Sequence, residues 1–141
     1  MIEKVVENWH RYMKGEYPGG LDELLADDVV FYSPVVFTPQ QGKEITKAYL
    51  GAAANTFDGD APKKSGVGPT TFAYTKKVMS GNQAILEFET QMDGKYVNGV
   101  DIITCNDAGR IIEFKVMIRP LQAVNTVHAQ MGAMLKKMQA L

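Results

Sequence analysis

The spacing of apolar residues changes along the chain, and this change constrains the fold more than any other feature. In the first part the apolar side chains recur at intervals of three and four, whereas from Thr70 onward they alternate. Turn signals separate the alternating segments at Gly81-Asn82, Asp93-Gly94 and 106–109. Short β-rich segments joined by tight turns predict an antiparallel meander of four strands.

The earlier part of the chain predicts three helices and one strand. The first helix has its apolar stripe over residues 2–13, a short second helix covers 21–25, and a third begins near Gly42. Between them, Val29 to Ser33 reads as a strand that Pro34 ends. Pro120 opens a C-terminal helix because proline suits a first helical turn. Helices on one face of an antiparallel sheet make the 141 residues one α+β domain, residues 1–141.

Composition excludes several classes of function. The formal charge is -1, from 15 basic and 16 acidic residues, so no basic surface is predicted for nucleic acid or an anionic membrane. No apolar run is long enough to span a bilayer, and the N-terminus does not read as a signal peptide. The single Cys105 predicts no internal disulfide, which makes the cytoplasm the expected location. No metal-binding spacing and no phosphate or dinucleotide motif is present, so neither a metal nor a cofactor is predicted.

Alternation also sorts the strand residues onto two faces of the sheet. The charged face would point to water or to a second subunit, which makes Asp101 and Arg119 an outward ion pair unless a bulge reverses the register. The face predicted to meet the helices comprises Leu86, Phe88, Thr90, Asn98, Val100, Ile102, Phe114, Val116 and Ile118. The face predicted to point outward comprises Glu87, Glu89, Asp101, Glu113, Lys115, Met117 and Arg119.

Several motifs, in order, resemble the nuclear transport factor 2-like superfamily, in its SnoaL-like and ketosteroid isomerase-like branch. They are Leu24–Pro34, Gly42–Glu44, Val100–Ile103, Asp107–Ile111 and Glu113–Pro120. The resemblance covers nearly the whole chain except a loop predicted at Asp58–Pro69. It implies a cystatin-like cone, in which a curved antiparallel sheet wraps around helices and leaves a pocket at one end. It also implies a homodimer that forms through the outer face of the sheet.

The implied pocket is apolar with a few polar groups, a composition typical of sites for small hydrophobic ligands. Isomerases of this branch resemble the chain but use an aspartate before the strand-ending proline as base, where this sequence has Ser33. Their oxyanion hole pairs a tyrosine with a protonated aspartate, and the aligned residues here are Trp9 and Asn98. The residues predicted to line the pocket are Trp9, Tyr12, Phe31, Ser33, Tyr49, Phe88, Asn98, Val116 and Ile118.

Three functions remain open at this point. The chain is an enzyme of isomerase, cyclase or dehydratase type, a module that binds an apolar molecule without chemistry, or a dimerisation domain. For the enzyme, a reversed register would make Asp101 the acid/base and Arg119 its orienting partner. For the dimerisation domain, a methionine-rich C-terminal helix with Met131, Met134 and Met138 would supply an adaptable surface.

Overall fold

The structure, a computed structural model, describes residues 1–56 and 72–139. The predicted loop Asp58–Pro69 lies outside the described residues, as do the side chains of Met134 and Met138. The helices are α1 (Ile2–Met13), α2 (Gly20–Leu24), α3 (Lys43–Thr56) and α4 (Leu121–Gln139). The strands are β1 (Leu25–Tyr32), β2 (Gln40–Gln41), β3 (Ala73–Ser80), β4 (Gln83–Met92), β5 (Lys95–Cys105) and β6 (Ile111–Arg119).

The strands form one curved six-stranded sheet in the order β2-β1-β6-β5-β4-β3. Strands β3 to β6 are the predicted antiparallel meander, and the α+β, cystatin-like architecture is confirmed. The sheet is mixed, because β1 runs parallel to β6. The first strand also begins earlier than predicted, since β1 starts at Leu25 directly after α2, and Asp27 and Asp28 lie within it.

The core forms between one face of the sheet and the helices. The predicted stripe of α1 is buried on the sheet through Ile2, Val5, Val6 and Trp9. Helix α4 packs against α3 and the central strands, with Ala123, Val127 and Met131 buried. Within the described ranges, no helix has the length and apolarity needed to cross a membrane.

Strand β5 faces the opposite way from the prediction, although β4 and β6 face as predicted. The reason is the turn at Asp93-Gly94, where both residues have positive φ, 54° and 76°, as a two-residue type I′ hairpin requires. This turn pairs Met92 with Lys95, and continuous pairing from there sets Asp101 opposite Leu86. Paired residues share a face, so Asp101 points inward with the buried Leu86.

The same register corrects the faces of the neighbouring β5 residues. Asn98 pairs with Glu89 and lies on the outer face, together with Val100 and Ile102. The sequence misled because β5 is apolar at both sets of alternate positions, so that alternation alone does not distinguish its two faces.

Candidate active site

A cavity of about 460 Å³ opens between the sheet and helices α1, α3 and α4. Its volume lies within the range of small-molecule pockets. The walls are mostly aromatic and aliphatic, and Asp101 is the one carboxyl group among the described residues that line them. Lining residues include Trp9, Tyr12, Phe31, Ser33, Val35, Tyr49, Phe72, Tyr74, Phe88, Asp101, Phe114, Val116, Ile118, Val127, His128 and Met131.

Eight of the nine residues predicted to line a pocket do line this cavity, and Asn98 does not. Their contact with a ligand remains a prediction. Of the two candidate catalytic residues, Asp101 lies in the cavity wall, whereas Arg119 pairs with Asn98 on the outer face. Arg119 therefore neither forms the predicted ion pair with Asp101 nor orients it.

Asp101 is a buried acid at the inner wall of the cavity, with 5% of its surface exposed. Its Oδ2 accepts a hydrogen bond of 2.6 Å from the Tyr74 hydroxyl. Burial raises the pKa of Asp101 to about 7, and the bond from Tyr74 opposes part of that rise. Asp101 can therefore both donate and accept a proton near neutral pH, as acid–base catalysis requires.

Tyr74 connects Asp101 to the first helix. Its hydroxyl oxygen accepts a hydrogen bond of 2.9 Å from Trp9 Nε1. Burial, followed by the charge of Asp101, raises the pKa of Tyr74 well above its ordinary value. Tyr74 thus keeps its proton and acts as a hydrogen-bond donor throughout the physiological pH range.

An aromatic cluster holds this chain of hydrogen bonds in place. Trp9 makes an edge contact with Phe114 at 5.0 Å between ring centroids, and Tyr74 does the same with Phe72 at 5.0 Å. Phe88 stacks on Phe72 at 4.8 Å. Such ring pairs add rigidity and stabilise beyond the area they bury.

Gly99 makes room for Phe88 in this cluster. A Cβ atom built at Gly99 would lie 2.6 Å from Phe88 Cζ and 2.6 Å from the Met117 carbonyl oxygen. Real Cβ atoms do not approach other heavy atoms so closely. The absence of a side chain at residue 99 therefore sets the position of the Phe88 ring against β5.

Ser33 occupies the position where isomerases of the resembling branch have their base. Its Oγ accepts a hydrogen bond of 3.1 Å from the backbone N–H of Val35, a local contact typical of a serine at a turn. This bond helps to shape the loop after β1, whose residues Ser33 to Val36 line the cavity.

Asn98 has a different environment on the outer face of the sheet. Its amide nitrogen donates to Glu87 Oε2 at 3.0 Å and to the Phe88 carbonyl oxygen at 2.9 Å. Its amide oxygen accepts from Arg119 Nη1 at 3.3 Å. These bonds satisfy a buried amide and assign Asn98 to the structure of the sheet.

Sequence reasoning missed Tyr74 entirely. Helix α4 contributes His128 to the cavity wall. No set of histidine, cysteine, aspartate and glutamate side chains arranged to hold a metal ion occurs among the residues that the structure describes.

Comparison with known proteins finds similar solved structures, while no family model and no curated protein matches the chain. A steroid delta-isomerase from Pseudomonas aeruginosa is 28% identical with a TM-score of 0.85, over 99% of this chain and 95% of that chain. A protein with a cystatin-like fold from Silicibacter pomeroyi DSS-3 is 29% identical with a TM-score of 0.71, over 86% of this chain and 77% of that chain.

A third structure resembles the chain in fold alone. It is an epoxide hydrolase/cyclase-like enzyme of pyran ring formation in the polyether salinomycin, 16% identical with a TM-score of 0.58, over 83% of this chain and 92% of that chain. The architecture is thus that of the cystatin-like α+β proteins. The chain belongs to the nuclear transport factor 2-like superfamily, which includes ketosteroid isomerase-like and SnoaL-like proteins.

Proposed function

We propose that this protein is a small-molecule enzyme that moves a proton on an apolar, carbonyl-bearing ligand, with Asp101 as its acid–base group. The observation that carries the proposal is that Asp101, the one carboxyl group among the described lining residues, is buried in the wall of an apolar cavity, where burial raises its pKa to about 7. An acid that lies in a cleft and has a strongly perturbed pKa is a candidate functional group. The likeness to a steroid delta-isomerase supports the same class of reaction.

The chemistry follows from the two protonation states of Asp101. The carboxylate accepts a proton from the carbon next to the carbonyl group, and the C–H electron pair forms an enolate. The resulting neutral acid returns the proton to the same carbon or to a conjugated one. An isomerisation is complete when the proton returns to a different carbon, and no net charge or electron is gained.

Because residue 33 is serine, the base of this protein must differ from the base of the isomerases that the chain resembles. With Ser33 before Pro34, the strand end has no carboxylate to serve as base. Asp101 is then the group that can take the proton, because it is the one carboxyl group among the described residues that line the cavity. The polar groups of the cavity wall suit a ligand with one carbonyl group and an otherwise apolar body.

The experiment is hydrogen–deuterium exchange at carbon, which can be done without knowing the natural substrate. Protein in deuterated buffer is incubated with 2-tetralone, a compact apolar ketone with acidic C–H bonds, and deuterium uptake is followed by mass spectrometry. We expect uptake that depends on the protein and is lost in Asp101→Asn. Uptake at the buffer rate, or equal uptake with Asp101→Asn, would contradict the proposal.

A second candidate is a module that binds an apolar molecule without chemistry. The observation that favours it is Ser33, which lacks a carboxylate and accepts a hydrogen bond from its own loop. Native mass spectrometry of the freshly purified protein tests it directly. A co-purifying apolar molecule that remains unaltered on incubation, together with no deuterium uptake, would favour binding over catalysis.

We also propose that two copies pair through the outer face of the sheet. Exposed apolar side chains support this surface, since Ile85 is 44%, Tyr96 45% and Met117 52% exposed, and their strand pairing puts all three on that face. The helix-mediated alternative has less support, because α4 packs on its own domain and Met131 is buried there.

A further inference from the structure

The hydrogen bonds from Trp9 through Tyr74 to Asp101 have a fixed direction. An indole N–H can only donate, so Tyr74 Oη must act as acceptor in its 2.9 Å contact with Trp9. The hydroxyl hydrogen of Tyr74 is then available for Asp101 Oδ2, which lies 2.6 Å away. Trp9 therefore donates a hydrogen bond to Tyr74, and Tyr74 donates one to Asp101. The last acceptor is the Asp101 carboxyl group in the cavity wall.

We propose that Trp9 and Tyr74 are positioning residues that hold Asp101 Oδ2 as an acceptor and leave Oδ1 as the oxygen that exchanges the proton with the ligand. The inference deepens the proposed function and rests on it for the presence of a reacting ligand. It also assigns the two carboxyl oxygens different tasks. Oδ2 is anchored to the protein, and Oδ1 carries the proton when Asp101 is neutral and receives it when Asp101 is ionised.

The hydrogen bond from Tyr74 explains how the buried Asp101 can act as a base as well as an acid. Burial alone favours the neutral acid, which could donate a proton but would not readily take one from carbon. A hydrogen bond to the charged form favours that form, and the bond from Tyr74 lowers the pKa of Asp101 against the larger effect of burial. One carboxyl group can then perform both halves of the proton transfer.

Among the described residues that line the cavity, the other titratable groups are Tyr12 on α1, Tyr49 on α3, Tyr74 on β3 and His128 on α4. His10 on α1 lies beside the Tyr74 ring, at 5.2 Å between ring centroids. Burial raises the pKa of Tyr12, so its hydroxyl group stays neutral and does not compete for the proton. Of this set, Tyr74 has the hydrogen bond to the Asp101 carboxyl group, which makes it the residue to alter.

The test is the titration of the Asp101 carboxyl carbon by ¹³C NMR in the ligand-free protein, with the resonance assigned by its loss in Asp101→Asn. In Tyr74→Phe we expect the midpoint to rise by about one pH unit or more, because the carboxylate loses a donor. Trp9→Phe should raise it by less, since Tyr74 remains but is a weaker donor. Tyr12→Phe removes a hydroxyl group from the same cavity and should leave the midpoint unchanged.

A second variant keeps the test decisive if Tyr74→Phe does not fold. Replacement of Tyr74 by 3-fluorotyrosine retains the ring and makes the hydroxyl group a stronger donor, so the midpoint should fall. A midpoint that is unchanged or moves the opposite way in either variant would overturn the proposal. Because the titration needs no ligand, this result stands apart from deuterium exchange. A protein without exchange but with the expected shifts would contradict only the proposed reaction.

Discussion

Two buried polar residues lie three positions apart on strand β5 and have opposite environments. Asn98 is 8% exposed and Asp101 5%. On the outer face, Asn98 exchanges hydrogen bonds with Glu87, Arg119 and the backbone of Phe88. On the inner face, Asp101 accepts a bond from Tyr74 and otherwise faces a cavity with apolar walls. Burial alone therefore does not distinguish a structural polar group from a functional one.

The difference lies in what surrounds the polar atoms. A buried amide whose donors and acceptor are paired within the protein stabilises the fold, and these groups are not available to bind a ligand. A carboxyl group in an apolar cavity pays for desolvation of its charge, and that penalty shifts its protonation into the range useful for catalysis. The following variants test this contrast between Asn98 and Asp101, beginning with the largest expected effect.

Asp101→Asn should reduce the rate of deuterium uptake by roughly 10²–10⁴-fold, the usual contribution of a general acid–base group. The same variant should be more stable than the wild type at pH 8, by up to roughly 4 kcal/mol, since asparagine carries no charge to desolvate. Chemical unfolding at several pH values measures the stability, and the exchange assay measures the rate.

The sign of the pH dependence provides the control for this variant. The folded pKa of Asp101 is raised, so its contribution to stability is fully present below about pH 4 and is lost as the pH rises to about 7. The gap between wild type and Asp101→Asn should therefore close toward pH 4. A gap that is constant with pH would show that Asp101 is not buried as an acid of raised pKa.

Gly99 lies between Asn98 and Asp101 on β5. Gly99→Ala tests whether the absence of a side chain at this residue positions the Phe88 ring. The new methyl group would require Phe88 or the backbone of β6 to move, and overpacking of this kind destabilises by about 1–3 kcal/mol. Movement of the Phe88 ring should also weaken binding of 2-tetralone, measured by titration calorimetry. Gly132→Ala is a suitable comparison for the stability alone, because a Cβ there meets nothing within 4 Å, whereas Gly132 lines the cavity; equal losses of stability would rule out the steric account.

Asn98→Ala should lower the free energy of unfolding by about 1–3 kcal/mol, because Arg119 and the Phe88 carbonyl oxygen each lose the hydrogen bond that Asn98 makes with them. Deuterium uptake per folded molecule should remain at the wild-type rate. A large loss of exchange with little loss of stability would reverse the roles given to Asn98 and Asp101.

Met117→Glu on the outer face should have the smallest effect on chemistry. A charge in an apolar interface between two copies should convert a dimer to a monomer, measured by light scattering, while the cavity and its exchange rate remain unchanged. Glu113→Gln on the same strand removes a charge and should leave the dimer intact. A monomeric wild-type protein would contradict the proposed interface.

Much of the fold could be predicted from local signals in the sequence. The three-and-four spacing of apolar residues specifies helix α1. The turn at Asp93-Gly94 specifies the pairing of β4 with β5. The parallel pairing of β1 with β6 could not, because it joins distant segments and no local residue preference encodes it. The orientation of β5 could have been predicted from the sequence, because counting outward from the turn at Asp93-Gly94 pairs Leu86 with Asp101.

The candidate site was less predictable than the fold for a physical reason. Aromatic residues on apolar stripes can be recognised, and eight of the predicted residues do line the cavity. Tyr74 could not be found in this way because the register of β3 against β4 shifts between Tyr74 and Lys76. A bulge of this kind turns a side chain to the other face, and the sequence has no signal that marks it.

The most direct test of the account is the titration of Asp101 in the wild-type protein, followed at its carboxyl carbon by NMR. We predict a midpoint near 7, the value expected for an acid buried in the apolar cavity with Tyr74 as its donor. A midpoint of about 4, the value of a solvent-exposed aspartate, would contradict the central claim that Asp101 is the proton-exchanging group of this protein.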